Sequence, residues 1–396
     1  MNDHQHDNAW TLFRVFLRLG LTSFGGPIAH LAYFREEFVA RRRWLSERSY
    51  ADLVALCQFL PGPASSQVGM AVGLLRHGYA GALAAWAGFT LPSALALILF
   101  ALGLAHGAVL PAGLLHGLKL AAVAVVAQAV WGMSRKLCTD APRVVIAALA
   151  GAATLLLPGA LGQLAVIAIA AVVGLLLLRA PHEAVHEALP APVGKRAGII
   201  WLLLFFGLLA ALPLLSSALS SRALADVDAF FRVGAMVFGG GHVVLPLLQA
   251  EVVPTGLVDN DVFLAGYGAA QAVPGPLFTF AAFLGASMQA GPSGWSGGML
   301  CLLAIFAPSF LLVAGAMPFW TTLRANARMQ TALAGVNAAV VGLLAAALYQ
   351  PVGAAALLRP VDFAVALAAL AALQSGRCPA WLAVLLCAAA GVAISL

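Results

Sequence analysis

Nine apolar runs divide this chain, and each approaches the length that a helix needs to cross a bilayer. About 20 residues span the hydrocarbon core, and only helices or closed barrels satisfy their own backbone groups there. The runs cover residues 80–105, 112–133, 143–158, 161–180, 198–220, 295–317, 329–349, 361–374 and 379–396. Since 62% of the residues are hydrophobic and only 9% are charged, the composition excludes an ordinary water-soluble domain. The sequence therefore predicts an all-α polytopic membrane protein.

The chain also contains two copies of one pattern. FLRLGLTSFGGP at 16–27 recurs as FFRVGAMVFGGG at 230–241, and QFLPGP at 58–63 recurs as QAVPGP at 271–276. GFTLPS and AIFAPS follow in the same order, so that corresponding residues stay 213 to 216 positions apart. A constant offset over this length indicates a duplication. The predicted units are a first repeat over 1–180, a linker and connecting helix over 181–220, and a second repeat over 221–396.

The second repeat is predicted to have the opposite orientation in the membrane. The connecting helix adds one crossing between the repeats, and Lys and Arg in short loops mark the cytoplasmic side. The loop at 34–48 contains five arginines, whereas its counterpart at 251–261 contains three acids and no base. If the broken segments enter and leave on one side as re-entrant hairpins, nine crossings remain. The N-terminus is then cytoplasmic and the C-terminus lies outside.

Two helix breaks occur in each repeat, one at Gly-Gly and one at Pro-Gly-Pro. Non-helical backbone at membrane depth is tolerated where it is buried in protein or lines a wet cavity, and broken helices in inverted repeats are typical of secondary transporters. A new helix start follows each break, and its free N–H groups and dipole favour an anion. We therefore expect four helix N-termini to converge on an anion site.

The candidate ligands of this anion come from both repeats. In the first repeat they are Gly25, Gly26, Pro27, Ile28, Gln58, Pro61, Gly62, Pro63, Ser65, Ser66 and Gln67. In the second repeat they are Gly239, Gly240, Gly241, His242, Gln271, Pro274, Gly275, Pro276 and Thr279. Arg18, Lys119 and Arg232 join them, because an ionised residue in a membrane segment costs about 2.5–3.5 kcal/mol. A dianion with oxygen acceptors on all sides suits such a cage of donors.

Simpler interpretations exist for several of these residues. The glycine and proline breaks also permit close helix packing, and Arg18 and Lys119 are equally explained as interface anchors. Glu37 and Glu251 recur in register as candidate proton-coupling residues, although a surface salt bridge with the flanking Arg35 or Arg41 is the favoured interpretation of Glu37.

The duplicated FGGP pattern with its following Glu37 and Trp44, and then Q-x-x-PGP, resembles the chromate ion transporter family in its long, two-domain form. The resemblance covers nearly the whole chain. It implies export of chromate from a bacterial cytoplasm across the inner membrane, chromate resistance, and sulfate as a similar competitor. Gly241 stands where the first repeat has a proline, and Val258 stands opposite Trp44, so that a strictly symmetric site is not expected.

Two other functions stay open at this point. The first is transport of sulfate, molybdate or another tetrahedral oxyanion, because backbone donors separate such anions poorly. The second is an intramembrane enzyme, which is disfavoured because no nucleophile signature is present. We expect no cofactor and no nucleic-acid partner, since the basic residues lie mostly in short loops. The five cysteines form no CxxC motif. The partners are the anion and the lipid bilayer, and a homodimer is left open.

Overall fold

A computed structural model of the chain describes residues 8–105, 112–157, 159–179, 192–376 and 378–395. Every regular element in these ranges is a helix. The first repeat contains α1 (Ala9–Thr22), α2 (Gly26–Arg35), α3 (Glu47–Phe59), α4 (Ala64–Ala105), α5 (Ala112–Leu137), α6 (Ala141–Leu156) and α7 (Ala160–Leu177). The connecting helix is α8 (Lys195–Ala218). Most of the predicted linker before it lies outside the described residues.

The second repeat follows the same order of helices. It contains α9 (Arg222–Met236), α10 (Val244–Val252), α11 (Asn260–Ala272), α12 (Phe280–Ser287), α13 (Gly294–Ala316), α14 (Trp320–Arg324), α15 (Ala327–Ala347), α16 (Ala354–Ala356), α17 (Pro360–Gln374) and α18 (Ala380–Ser395). Short 3-10 turns at Gly241–Val243 and Leu277–Thr279 precede α10 and α12, and π-helical turns at Glu36–Arg41 and Leu348–Gly353 extend α2 and α15. The fold is therefore all-α, and α8 joins two repeats that share one order of helices.

The apolar runs predicted from the sequence correspond to these helices. Eight of the nine runs match one helix each with ends that agree within four residues, and the run at 80–105 is the second limb of α4. This helix changes direction at His77 and Gly78, where the backbone leaves helical geometry. Among the described residues, six stretches are long and apolar enough to cross a membrane. They are 64–105, 113–137, 160–177, 195–218, 294–324 and 327–356, with shorter apolar helices at α6, α12, α17 and α18.

The two repeats also use the same close helix packing. A Cβ on Gly20 of α1 would lie 2.8 Å from the carbonyl oxygen of Phe89 on α4, so this position requires a residue without a side chain. A Cβ on the equivalent Gly234 of α9 would lie 2.2 Å from the carbonyl oxygen of Ile305 on α13. Small residues allow such close approach of helices within a membrane. The first helix of each repeat is therefore fixed against the long helix that follows the Pro-Gly-Pro break.

Candidate functional site

The four predicted breaks are present, and glycines make them possible. Positive φ angles, which side chains with a Cβ rarely adopt, occur at Gly25, Gly26, Gly62, Gly239, Gly240 and Gly275. In the Pro-Gly-Pro loops the values are 123° at Gly62 and 96° at Gly275. The backbone thus reverses or bends at equivalent positions of both repeats.

Each Pro-Gly-Pro loop bonds to the Gly-Gly loop of the other repeat. The N–H of Gly62 donates to the carbonyl of Val237 at 2.7 Å, and the N–H of Gly275 donates to the carbonyl of Ser23 at 3.0 Å. Val237 and Ser23 are equivalent residues, each one position before the Phe-Gly-Gly motif. The exchange of equivalent bonds brings all four breaks together between the repeats. It also occupies these two glycine N–H groups, so neither is free for a ligand.

Each of these two glycines also lies against a serine from the opposite repeat. A Cβ on Gly62 would lie 2.7 Å from the Oγ of Ser309 and 2.6 Å from the Nε2 of Gln67. A Cβ on Gly275 would lie 2.8 Å from the Oγ of Ser93. The two serines end the duplicated motifs GFTLPS and AIFAPS, so the repeat itself is the sequence signal for them, although neither is among the predicted ligands.

The first repeat presents polar atoms at the start of α4. The Oγ of Ser65 lies 3.4 Å from the Nδ1 of His30, and the Nε2 of Gln67 donates to the carbonyl of Pro61 at 2.6 Å. Among the described residues, the buried side-chain atoms that have no hydrogen-bond partner include two from this helix start and one from the serine beside Gly62. They are the Oγ of Ser66, the Oε1 of Gln67 and the Oγ of Ser309. Buried polar groups of this kind are costly unless something pairs with them, which makes this cluster the strongest candidate for a ligand site.

The second repeat has a different lining around its breaks. Its chain resumes through 3-10 turns, and the hydroxyl of Thr279 donates to the carbonyl of Pro276 at 2.8 Å. Phe278 and Phe280 flank Thr279 and are buried. At the Gly-Gly loop, the Nδ1 of His242 lies 2.9 Å from the hydroxyl of Tyr267. This side of the site is therefore mostly apolar, and its hydroxyl is already bonded.

Two of the three predicted cations are held by carboxylates. The Nη2 of Arg232 lies 3.2 Å from an oxygen of Asp228 and 3.2 Å from an oxygen of Glu251. The Nζ of Lys119 lies 2.7 Å from the Oδ1 of Asp261, which belongs to the first turn of α11 and is far along that helix from its Pro-Gly-Pro break. Their charges are therefore balanced within the protein.

The family of the chain follows from its similarity to known proteins. The chromate transporter family matches residues 10–175 and 225–392, which together contain both sets of helix breaks. This chain belongs to the chromate transporter family. The two matched regions correspond to the two copies of the duplicated motif.

Several relatives of the chain are named as chromate transport proteins. A chromate transport protein of Pseudomonas aeruginosa is 30% identical over 353 residues, which is 85% of this chain and 79% of that protein. A probable chromate transport protein of Synechococcus elongatus is 28% identical over 85% of this chain and 82% of the relative. A chromate transport protein of Cupriavidus metallidurans is 26% identical over 85% of this chain and 80% of the relative. No solved structure matches the chain.

The Gly-Gly loops of the two repeats lie side by side. A Cβ on Gly241 would lie 3.3 Å from the Cγ of Pro27, and a Cβ on Gly26 would lie 3.9 Å from the Nε2 of His242. The position where the repeats differ, proline in one and glycine in the other, is therefore a contact between them. A proline in place of Gly241 would press against the ring of Pro27.

Other predicted ligands lie at the edge of this arrangement. Arg18 is exposed on α1, and Gln58 is exposed near the end of α3. The Nε2 of Gln271 is buried and, among the described residues, has no hydrogen-bond partner. Ile28 belongs to α2, but its side chain lies outside the described part of the chain.

Glu37, one of the two candidate coupling residues, is in a different environment from the one expected. Its carboxylate oxygens lie 2.6 Å from Arg41 and 2.7 Å from Arg42, and the side chain is buried rather than at the surface. Arg35 pairs with Glu47 instead. The π-helical turn at the end of α2 places Arg41 and Arg42 on either side of the one carboxylate. Glu37 therefore fixes the arginine-rich loop to the protein.

Proposed function

We propose that this chain is a secondary transporter that exports chromate from the cytoplasm and thereby confers chromate resistance. One observation carries the proposal: the helix breaks of the two repeats lie together beside buried hydroxyl and amide groups that have no partner among the described residues. Such a cage is suited to an oxyanion, and the relatives named chromate transport proteins support chromate as that oxyanion.

The ligand groups of this proposal are the start of α4 with Ser65, Ser66 and Gln67, closed by the Gly-Gly and Pro-Gly-Pro loops of the second repeat. Because the loops bond across the repeats, a rocking motion of one repeat against the other breaks and remakes those bonds. Alternating access to a fixed site of this kind is the usual mechanism of transporters with inverted repeats.

The membrane potential is a sufficient driving force for export. With the inside negative, each expelled negative charge gains about 2.3 kcal/mol per 100 mV. A proton gradient is therefore not required, and Glu37 and Glu251 remain candidates for a coupling role that modifies rather than drives transport.

Transport into or out of proteoliposomes tests the proposal. Vesicles containing the purified protein are loaded with chromate, a potential is imposed, and chromate release is followed with and without competing sulfate. The protein with Gly62→Leu and Gly275→Leu is the matched control, since both replacements fill the loops. We expect release from vesicles with the native protein only, and equal release from both kinds of vesicle would refute the proposal.

The same assay addresses the alternative substrate. Hydroxyl and N–H donors do not separate tetrahedral oxyanions of similar size, so sulfate or another such anion is the second candidate. Sulfate release that exceeds chromate release would favour this alternative.

The orientation belongs to the proposal as well. We propose an inner-membrane location with the N-terminus in the cytoplasm and the C-terminus outside. The test uses Arg48→Cys and Thr255→Cys, both at exposed positions, in a background that lacks the half-buried Cys138 and Cys378. An impermeant thiol reagent should label them from opposite sides, and labelling from the same side would contradict inverted repeats.

A further inference from the structure

We propose that His30 takes up one proton when the oxyanion binds, and that the protonated ring turns the hydroxyl of Ser65 toward the anion. The ligand is then held as a dianion, and the protein gains one positive charge at the moment of binding. The inference rests on the proposed function and deepens it, because it names the residue that balances the charge of the ligand.

The hydrogen bonds of His30 determine which ring nitrogen carries the hydrogen. The side chain is 1% exposed, its Nε2 lies 3.2 Å from the carbonyl oxygen of Ser23, and its Nδ1 lies 3.4 Å from the Oγ of Ser65. A carbonyl oxygen can only accept, so Nε2 carries the hydrogen. In the neutral ring Nδ1 is then an acceptor, and the hydroxyl of Ser65 donates to it.

The neutral form of His30 leaves Ser65 unsuited to an anion. The one O–H of this serine is directed to Nδ1, so its oxygen can offer a ligand only lone pairs, which repel the oxygens of an oxyanion. If Nδ1 gains a proton from the solvent, the hydrogen bond reverses and Nδ1–H donates to Oγ. The O–H of Ser65 is then available to the ligand. One proton therefore converts this hydroxyl from an acceptor into a donor.

The surroundings of the ring link proton uptake to the ligand. The ring of His30 packs edge-on against Phe89, with the ring centroids 5.3 Å apart, and such apolar burial keeps the imidazole neutral while the site is empty. A dianion beside the ring reverses this preference, because opposite charges attract strongly where water is excluded. The proton strengthens anion binding by the same factor by which the anion strengthens proton binding.

A dianion at this place needs a counter-charge that the fixed cations do not supply. Arg232 and Lys119 are each held by carboxylates, and Arg18 is exposed on α1. The start of α4 contributes the helix dipole, which is roughly half a positive charge. His30 adds a full charge at a distance of one hydroxyl group from the ligand. Histidine is also the side chain that ordinarily changes charge around neutral pH.

His30 also contacts one of the hydrogen bonds that join the repeats. The carbonyl of Ser23 accepts from the Nε2 of His30 and, at 3.0 Å, from the N–H of Gly275 in the second repeat. A hydrogen bond from a charged donor is stronger than one from a neutral donor. Protonation of the ring therefore fixes this carbonyl more firmly in the position at which the second repeat binds to it.

The second repeat does not reproduce this arrangement. The residue equivalent to His30 is Val244, and His242 is equivalent to Ile28. The Nδ1 of His242 lies 2.9 Å from the hydroxyl of Tyr267 on α11, whereas His30 bonds to α4. A hydroxyl can donate or accept, so that bond does not fix the hydrogen on either nitrogen of His242. His242 is therefore the matched control for His30.

The other titratable and charged groups on α2, and on the elements packed against it, do not compete for this role. Those in ion pairs are Arg35, Glu37, Arg41, Glu47 and Asp52. Those with exposed or half-buried side chains are Arg14, Arg18, Tyr33, Glu36, Arg48, Arg76, His77 and Tyr79. Tyr50 and Cys57 are buried, but these residue types ordinarily titrate above about pH 8. His77 is exposed, so it titrates in the same way with and without the anion.

The test is calorimetry of sulfate binding to the purified full-length protein in two amine buffers with different enthalpies of ionisation. Sulfate is the probe because it stays doubly charged over the range in which histidine titrates. The native protein should take up about one proton per sulfate near pH 7, and the Kd should rise about tenfold from about pH 6 to about pH 7. At about pH 8, where chromate is also mostly doubly charged, chromate should displace sulfate.

Three variants assign the proton. In His30→Gln the amide can still donate to Ser23 but cannot gain a charge, so uptake should fall below about 0.2 proton and the Kd near pH 6 should rise about tenfold or more. His242→Gln should retain about one proton per sulfate. Ser65→Ala should raise the Kd about fivefold or more while proton uptake persists, because the charge of the ring still attracts the anion.

Sulfate binding without proton uptake in the native protein would overturn the inference while the proposed transport stands, and this measurement needs no variant. Uptake that persists in His30→Gln, or that disappears in His242→Gln alone, would assign the proton to another group and would also overturn it. The same holds for chromate binding that sulfate does not displace, since both ions are dianions of similar shape. A protein that binds neither anion would refute the proposed function itself.

Discussion

The two repeats share a backbone and differ in what they present to the centre. In the first repeat the chain resumes directly as α2 and α4 after its breaks, and Ser65, Ser66 and Gln67 follow the Pro-Gly-Pro loop. In the second repeat it resumes through 3-10 turns, and two phenylalanines flank Thr279. A longer helix start provides better aligned N–H groups for an anion. The two repeats thus share one backbone arrangement, and divergence of their sequences has left more polar side chains after the Pro-Gly-Pro loop of the first repeat.

Charge differs between the repeats at equivalent positions. Arg18 and Arg232 correspond, but the residue four positions earlier is Arg14 in the first repeat and Asp228 in the second. Arg232 is consequently held in an ion pair on its own helix, while Arg18 is exposed. Arg232 is therefore part of an ion pair within its repeat, whereas Arg18 is exposed at the surface of α1.

The sharpest way to test this comparison is to fill the two Pro-Gly-Pro loops one at a time. Both Gly62→Ala and Gly275→Ala introduce a Cβ at a positive φ, and strain of this kind costs about 1–3 kcal/mol. At Gly62 the displaced atoms are those of Gln67 and Ser309, so chromate binding should fall about a hundredfold or more. At Gly275 the new Cβ would meet the Oγ of Ser93 and the carbonyl oxygen of Phe89, so binding should persist while transport is lost.

Calorimetry and vesicle flux distinguish these outcomes, and size-exclusion chromatography checks that both variants fold. Equal loss of binding in the two variants would mean that both repeats contribute equally to the site.

The second prediction concerns the two equivalent arginines. Arg232→Gln leaves Asp228 and Glu251 without the guanidinium that they share, and removing one partner of a buried ion pair costs about 3–5 kcal/mol. Arg18→Gln should change the stability little, because the side chain is exposed. Thermal unfolding in detergent measures both. Similar melting temperatures for the two variants would contradict the assignment of Arg232 to a structural ion-pair cluster.

Much of this arrangement could be predicted from the sequence, because local signals carry it. The duplication, the four breaks and the ends of the helices depend on glycine, proline and apolar runs, which act over a few residues. The pair of Asp228 and Arg232 also follows from a local rule, since residues four apart on a helix are neighbours.

The contacts that could not be predicted join helices that are far apart in the sequence, because they depend on how those helices pack together. Contact between Gly62 and Ser309 joins residues that are far apart in sequence, and no spacing rule relates them. Lys119 likewise finds Asp261 because α5 packs against α11. The sequence therefore indicated which residue types surround the breaks, while packing decided which of them are satisfied and which remain free for a ligand.

A third, smaller effect is expected at the ion pairs that join the repeats. Arg324 on α14 donates to both oxygens of Asp52 on α3, at 2.7 and 3.0 Å, and Asp52 is 1% exposed. Asp261, by contrast, has a side chain that is 63% exposed. Asp52→Asn should cost about 1.5–3 kcal/mol, the usual contribution of hydrogen bonds to charged groups.

Asp261→Asn should cost less than about 1 kcal/mol, since the long side chain of Lys119 can extend toward water at that end of α11. The comparison is made by thermal unfolding of the two variants at the same ionic strength. A larger effect at Asp261 would mean that this second connection between the repeats carries more of the stability.

The smallest change in stability is expected for Glu251→Gln. Arg232 keeps Asp228 as a partner, so the melting temperature should stay close to that of the native protein. In the first repeat, Glu37→Gln should have a larger effect, because Glu37 is the carboxylate that both Arg41 and Arg42 contact. Glu251 is therefore the better candidate for proton coupling, because the loss of its charge should leave the fold intact.

If Glu251 takes up and releases a proton during transport, the glutamine variant should bind chromate normally and lose the response of chromate flux to an imposed pH gradient. The measurement is vesicle flux at fixed potential with and without that gradient. A response that is retained in the variant would remove Glu251 from the coupling path and would leave the two repeats different in ligand binding alone.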